Sequence, residues 1–322
     1  MRIRPTALAL SALALSLTGC ASHPHAGDAQ DAARTLAELS TDQYAIYDTS
    51  SGDRLTLDLL ADRAAEADVV LVGELHSHPV GLAVASRLWD GILERRPNAV
   101  LSMEFFERDQ QVALDDYLGG VTDEATFRDA AHKTSESGYP PGHRAMVESA
   151  KAAGRPVVAA NAPRRYASLA RTKGLDRYDA FTPEQHRLVT PPDSIQDSAY
   201  HDRFLELMSG MGGHGGEPMS EDQARDMAES FFRAQSVWDA TMGESIARAT
   251  SLGAPVVHVV GRFHVERPLE GGGLSQQVRD RLPGARVLVI VFDDTPPGPL
   301  DEDLRALGDV VILVGGADSG SM

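Results

Sequence analysis

Cysteine is all but missing from this chain: Cys20 stands alone among 322 residues. No disulfide can form within the chain, so its fold must rest on a packed core. Lysine is also scarce, occurring only at 133, 151 and 173, while arginine is plentiful. That bias fits a GC-rich genome and says little about function. Basic residues are outnumbered, 30 Lys+Arg against 47 Asp+Glu, for a formal charge of −17. Nucleic acid and anionic lipid are therefore disfavoured as partners. Past the first twenty residues no apolar run is long enough to cross a bilayer. Two catalytic signatures are lacking as well. No Gly-x-Ser-x-Gly elbow points to a serine hydrolase, and no HExxH points to a zinc peptidase. No internal repeat is evident.

What is present begins with the leader. Arg2 and Arg4 form a short positive region, Ala7 to Leu17 an apolar one, and Leu17-Thr18-Gly19-Cys20 ends it. Small residues before a cysteine suit a lipoprotein signal peptidase, so residues 1–20 read as a signal peptide and Cys20 as the lipid attachment residue. Ala21, where Gram-negative lipoproteins kept in the inner membrane carry Asp, favours an outer-membrane anchor facing the periplasm. Residues 21–40 are small and polar and read as a flexible tether, with His23 and His25 as solvated side chains. The expected organisation is an α/β domain over 41–316, with a helical insertion at about 165–250, and a short tail at 317–322.

Strand and helix signals alternate through that domain. Tyr44 to Thr49 reads as a short strand. Asp68 to Gly73, Asn98 to Glu104, Arg155 to Asn161, Ala254 to Gly261, Ala285 to Phe292 and Asp309 to Val314 are six apolar, β-branched runs. Such runs suit strands buried on both faces. Leu57, Leu60, Ala61 and Ala64 fall at helical spacing, as do Val80, Val84, Leu88 and Ile92 after Pro79. Further helices are expected around 110–118, 124–131 and 142–153. Together these predict a mostly parallel sheet flanked by helices. Roughly ninety residues separate the third and fourth of these core strands, far more than a crossover needs. They read as a helical cap over the sheet's edge, its last helix running from Ser220 to about Ala249.

In an open parallel sheet, ligands bind beyond the carboxyl ends of the strands. The residues found there are Gly73-Glu74-Leu75-His76-Ser77-His78, Glu104, Asn161, Gly261-Arg262-Phe263-His264, and Asp293 with Asp294. Groups able to ligate a metal or move protons thus converge on one edge. In an extended segment Glu74 and His76 share one side, with Leu75 turned to the core. Glu104 sits between Met103 and Phe105, and a buried carboxylate there needs a partner. His78 either caps the next helix or joins the site. Gln235 and Asp239, four apart on a helix, either pair with each other and solvent or face the site.

The ordered set GELHSH, SMEFFERDQQ, GYPP, NAPRR, FFRAQSVWDATMGESIA and VVHVVGRFHV resembles the ChaN-like heme-binding uptake proteins of the Tiki/TraB superfamily, over roughly Leu57 to Phe292. The resemblance implies an α/β core with a helical cap. It also implies heme held at the strand-end crevice or between the two protomers of a homodimer, and a role in iron acquisition. The superfamily's paired Gly-x-x-His motifs and glutamate map onto Gly73–His76, Gly261–His264 and Glu104. Iron or heme ligands expected from the set are His76, His264, Glu74, Tyr139 and His143, with Tyr166 a further candidate. Tyrosine is expected as an iron ligand in this family, and its place here is open. Arg164 and Arg262, with Arg165, are candidates to pair with heme propionates. The stretch Met208, Met211, His214, Met219 either closes over a porphyrin or is a plain glycine-rich loop.

Two functional classes follow. One is a membrane-anchored heme-binding protein. The other is a hydrolase, an esterase or peptidase, in which Glu74 or Glu104 acts as general base, with a divalent metal held through His76 and His264 or without one. His264 or Arg262 would then stabilise the oxyanion. A scaffold without a site would have little use for intact GELH and GRFH segments.

Overall fold

The computed structural model describes residues 38–316, apart from 136–137, 196, 212–219 and 268–271. Cys20 with the leader, His23 and His25, His214 and Met219, and the 317–322 tail lie outside the described residues. Among the described residues no helix is long and apolar enough to cross a membrane.

In chain order the elements are β1 (Ala45–Asp48), β2 (Arg54–Leu55), α1 (Leu57–Ala65), β3 (Val69–Glu74), α2 (Pro79–Arg95), β4 (Val100–Glu107), α3 (Gln111–Leu118), α4 (Glu124–Ala130), α5 (Pro141–Ala152), β5 (Val157–Asn161), α6 (Arg164–Lys173), α7 (Pro183–His186), α8 (Ala199–Met211), α9 (Glu221–Ala249), β6 (Val256–Gly261), α10 (Gly273–Arg281), β7 (Val287–Asp293) and β8 (Val310–Leu313). They build one 8-stranded sheet in the order β2-β1-β8-β7-β3-β6-β4-β5. The six strands from β8 to β5 run parallel, and β1 joins β8 antiparallel. The six apolar runs of the sequence are those six parallel strands.

Alternation along each strand sends side chains to two cores. Val70, Val72, Leu101, Met103, Val257 and Val259 face one side, beneath Leu88 and Trp89 of α2 and Met146 of α5. Val69, Leu71, Val100, Val256 and Val260 face the other, beneath Met242 and Ile246 of α9 and Leu274 of α10. Both layers exclude water from the sheet, which is what lets uninterrupted β-branched strands form. Helix α2 starts where expected, with Pro79 in its first turn and the His78 side chain as N-cap, accepting from Gly81 N. Helix α9 starts at a capping box of Ser220 and Gln223.

The insertion between β5 and β6 is helical, as the sequence predicts, but its last helix does more than cover an edge. The C-terminal half of α9 is a layer of the sandwich, since Met242, Ile246 and Ala249 are core. Gln235 and Asp239, near the middle of α9, reach the strand ends at His264. Arg108, just after β4, fixes this placement: its guanidinium donates to Glu244 Oε2 and Thr241 O, both at 2.8 Å, and to Ser245 Oγ. At the sheet's outer edge Gln111 covers β5, its amide donating to Val157 O and accepting from Ala159 N. That blunts an otherwise open strand edge.

Candidate functional site

Parallel strands β3, β4 and β6 deliver their last residues side by side, and the pleat decides on which face each points. Glu74, in step with Val70 and Val72, points toward α5. Glu104, in step with Val100 and Ser102, points toward α9. Two carboxylate–imidazole clusters result, one on each side of the sheet's carboxyl edge.

The first cluster is built on Glu74, which is 3 % exposed. His143 of α5 donates from Nε2 to Glu74 Oε2 at 2.6 Å, and His76 donates from Nδ1 to Oε1 at 3.2 Å. Burial alone would raise this carboxyl's pKa. The His143 and His76 charges and hydrogen bonds outweigh it and bring the value down to about 2. His76 is raised to about 9, first by the hydrogen bond to Glu74 and then, against its own desolvation, by the charges of Glu104 and Glu74. Its side chain is 58 % exposed, so solvent in the cleft screens that attraction. The expected side-by-side placement of Glu74 and His76 is what the geometry shows. Ser77, directly after, adopts φ 61°, a left-handed conformation unusual outside glycine that turns the chain toward α2.

The second cluster is built on His264, which is 7 % exposed. Its Nδ1 donates to Asp239 Oδ1 at 2.5 Å, and its Nε2 lies 3.5 Å from Glu104 Oε1. Tyr200 O–H donates to the other Asp239 oxygen at 2.8 Å, and Gln235 donates to the Tyr200 oxygen at 2.8 Å. Burial pulls the imidazole's pKa down, but the Asp239 and Glu104 carboxylates together raise it. Burial likewise raises Glu104, while His264, His76 and the Gly261 N–H at 2.7 Å lower it. Of the two readings of Gln235 and Asp239, the structure shows the one in which they face the site.

The clusters meet at Gly261. A Cβ there would come within 2.7 Å of His76 Nε2, so the bare glycine is what lets the His76 ring lie across the end of β6. The Glu104 segment also owes its placement to irregularity. β4 continues three residues past the predicted end, and its pairing with β5 shifts register between Met103 and Glu107. A bulge of that kind re-aims side chains at a strand end.

Between the clusters and the loop before α5 lies a cleft of about 370 Å³. Glu74, His76, Glu104 and His143 form its floor, Phe105, Val259 and Val260 its apolar wall, and Arg164, Lys133 and Glu107 its opposite rim. Among the described residues no three His, Cys, Asp or Glu side chains are disposed to hold a metal ion, so the expected divalent-metal site has no donor set.

Several expected residues lie elsewhere. Tyr139 is a core residue, 3 % exposed, packed among Phe105, Phe106 and Phe127 with its hydroxyl unpartnered. Burial pushes its phenol well above the usual range, the opposite of what a tyrosinate ligand needs. Tyr166 is likewise buried, packed on Phe181 within the insertion's own core. Arg262 does not line the cleft; its guanidinium is committed to Glu266 at 2.8 Å and Asp293 at 2.7 Å. Arg165 pairs with Asp109. His78 caps α2 and its Nε2 donates to Gly315 O, which decides between its two readings.

Sequence reasoning did not find Lys133, Glu107, Tyr200 or Arg108, nor the pairing of His143 with Glu74. His258, in the middle of β6, is fully buried and bonded through Nδ1 to Ser102 Oγ at 2.9 Å. A histidine within an otherwise apolar strand was the available signal.

The profile of a family described as haem-binding uptake, Tiki superfamily, ChaN matches residues 60–278. No curated protein sequence matches the chain. Among solved structures, ChaN of Campylobacter jejuni, described with cofacial heme, is 15 % identical with a TM-score of 0.61, covering 85 % of this chain and 97 % of that one. The type III effector HopBA1 is 15 % identical with a TM-score of 0.42, covering 81 % and 93 %. A mutant of the erythromycin esterase EreC in its open conformation is 11 % identical with a TM-score of 0.46, covering 85 % and 97 %. With the family match spanning most of the sequence, and with the fold it implies in place, this chain belongs to the ChaN family of heme-binding uptake proteins in the Tiki superfamily.

Proposed function

We propose that this chain is a lipid-anchored heme-binding protein of the outer membrane, facing the periplasm and serving heme or iron uptake. The strand-end cleft would hold the heme, with His76 as the residue that ligates its iron. The observation that carries this is the His76–Glu74 pair: an imidazole open to the cleft whose Nδ1 is bonded to a buried carboxylate. That pairing fixes the tautomer of a ligating histidine and raises its basicity, leaving Nε2 as the donor. The apolar wall of Phe105, Val259 and Val260 suits a porphyrin face. Bound heme supplies an iron with an axial position open to such a donor. The Glu74 hydrogen bond favours the protonated His76 ring, so binding iron through Nε2 would release a proton. His143 and Glu104 then hold the floor: His143 keeps Glu74 ionised, and Glu104 faces the same ring. His264 contributes through Glu104 rather than as a ligand, its ring being enclosed by Asp239 and Glu104.

The anchor rests on the leader's pattern and on Cys20. The homodimer rests on analogy: the Campylobacter relative is described as binding heme cofacially, and a half-open cleft leaves one heme face for a second protomer to cover. The test is a heme titration followed by Soret absorbance, with His76→Ala, His264→Ala and His143→Ala alongside. Saturable binding with a shifted Soret band, lost in His76→Ala and kept in His264→Ala, is expected. Absence of saturable binding in the wild type overturns the reading.

A hydrolase is the second reading, favoured by one observation, the Asp239–His264–Glu104 array. Glu104, the carboxylate that faces His264 in this array, would take the proton from water. Screening esters and amides with wild type and Glu104→Gln decides it: no turnover, or turnover indifferent to that change, removes it.

A further inference from the structure

The rim of the cleft holds a cation with no ion-pair partner among the described residues, Lys133. Lys133 is half-buried, and its ammonium donates to Phe105 O at 2.8 Å while lying 3.7 Å from the centre of the Phe105 ring and 5.8 Å from that of Phe106. Among the described residues no carboxylate lies within ion-pair distance of it. Taking an ammonium out of water against a carbonyl and two rings is costly unless an anion completes its shell. The cost shows in its pKa, which burial lowers to about 8 against the pull of Glu107. Yet the placement is enforced. Arg128 donates from Nε to Lys133 O at 3.0 Å and from its other nitrogen to Thr134 O and Ser135 O. Lys133 N in turn donates to Arg128 O at 2.7 Å. His132, immediately before, takes φ 55°, a strained conformation for a side chain of its size. Arg164 lines the same cleft, and its charge adds to the positive field at Lys133.

We infer that Lys133, with Arg164, forms an anion subsite that binds a carboxylate of the cleft's ligand. Under the heme-binding reading, on which this assignment of the ligand rests, that group is a heme propionate. The carboxylate's charge balances the ammonium and the guanidinium that line this rim. The subsite would also orient the ligand, since Lys133 and Arg164 line the rim and His76 the floor of the same cleft.

Two measurements on the full chain in detergent test this. The first is a heme titration of wild type, Lys133→Gln and Lys133→Arg, repeated with heme dimethyl ester. The inference predicts about tenfold weaker heme binding in Lys133→Gln, recovery in Lys133→Arg, and equal, weak binding of the ester by wild type and Lys133→Gln. Equal heme affinity in wild type and Lys133→Gln overturns it, as does a loss of the same size with the ester. The second does not depend on heme. With only three lysines in the chain, the Lys133 ammonium can be followed by NMR after 13C-methylation. Added sodium propionate should raise its titration midpoint, and an unmoved midpoint at saturating propionate overturns the subsite. If the wild type fails to bind heme but the midpoint moves, the anion subsite stands and the heme reading falls.

Discussion

Glu74 holds two imidazoles on one buried carboxylate, and this arrangement makes the site sensitive to a single atom change. Glu74→Gln keeps the shape but removes the charge that orients His76 and raises its basicity. Heme affinity should fall by roughly 10- to 100-fold, the range for lost outer-shell partners of metal-ligating histidines, as read from Soret titrations; an unchanged affinity would mean that Glu74 serves the fold alone. Histidines also set the response to acid. His258 is held at about 3 by burial against an unfolded value of 6.5. Its neutral form is favoured in the fold, so stability is full above 6.5 and falls as pH drops toward 3. His78, also lowered by burial, acts in the same direction. His264 and His76 are raised, so their contribution is complete below 6.5 and is lost at higher pH. Glu74 loses its contribution only below its unfolded value of 4.5. Between 6.5 and 4.5 the buried neutral histidines therefore dominate. Stability should fall there by about 1.4 kcal/mol per pH unit for His258 alone. Urea midpoints across that window, in wild type and His258→Asn, check it: the variant's slope should flatten. These single-residue facts were the least legible in the sequence. Tyr139, Arg262 and His143 each have a residue type suited to heme. What separates them is their neighbours, most of them far along the chain: an aromatic cluster for Tyr139, Asp293 with the nearby Glu266 for Arg262, and Glu74 for His143.

At the scale of elements, the long helix α9 links the core to the site. Its last turns lie on the sheet through Met242 and Ile246, and the turn before them brings Asp239 to His264. Arg108 holds the two in register through Glu244, Thr241 and Ser245. Its side chain is 8 % exposed, so Arg108→Ala leaves Glu244 without its main cation. We expect a loss of roughly 2–3 kcal/mol, discounted from a fully buried pair because Glu244 is partly exposed. Amide exchange should rise along α9 before it rises in β3 or β6. Uniform loss of protection would show that Arg108 does not act through this helix. Strands were far easier to read than such couplings. Each is a short apolar run ended by glycine or a polar residue, and burial on both faces demands little more. The extension of β4 to Glu107 escaped because a register shift leaves no periodic signal.

For the whole molecule, strand order does most of the work. β6 returns between β3 and β4 after a helical detour, so GELH, Glu104 and GRFH, far apart in sequence, end side by side. Their convergence was legible because parallel sheets present their carboxyl ends together. The division into a Glu74 cluster and a His264 cluster was not, since it depends on which face each strand-end residue takes. A cleft open on one side suits a ligand shared between two copies. Heme-loaded protein should therefore run as a dimer in light scattering, and the heme-free protein as a monomer; identical masses in both states would remove the cofacial arrangement.

The central claim is that His76, braced by Glu74, is the axial ligand of heme in the strand-end cleft. The most direct test is the ferric heme spectrum of His76→Gly with and without added imidazole. Loss of the wild-type Soret position in the variant and its return with imidazole is the result this account predicts. A wild-type spectrum in His76→Gly without imidazole would contradict it.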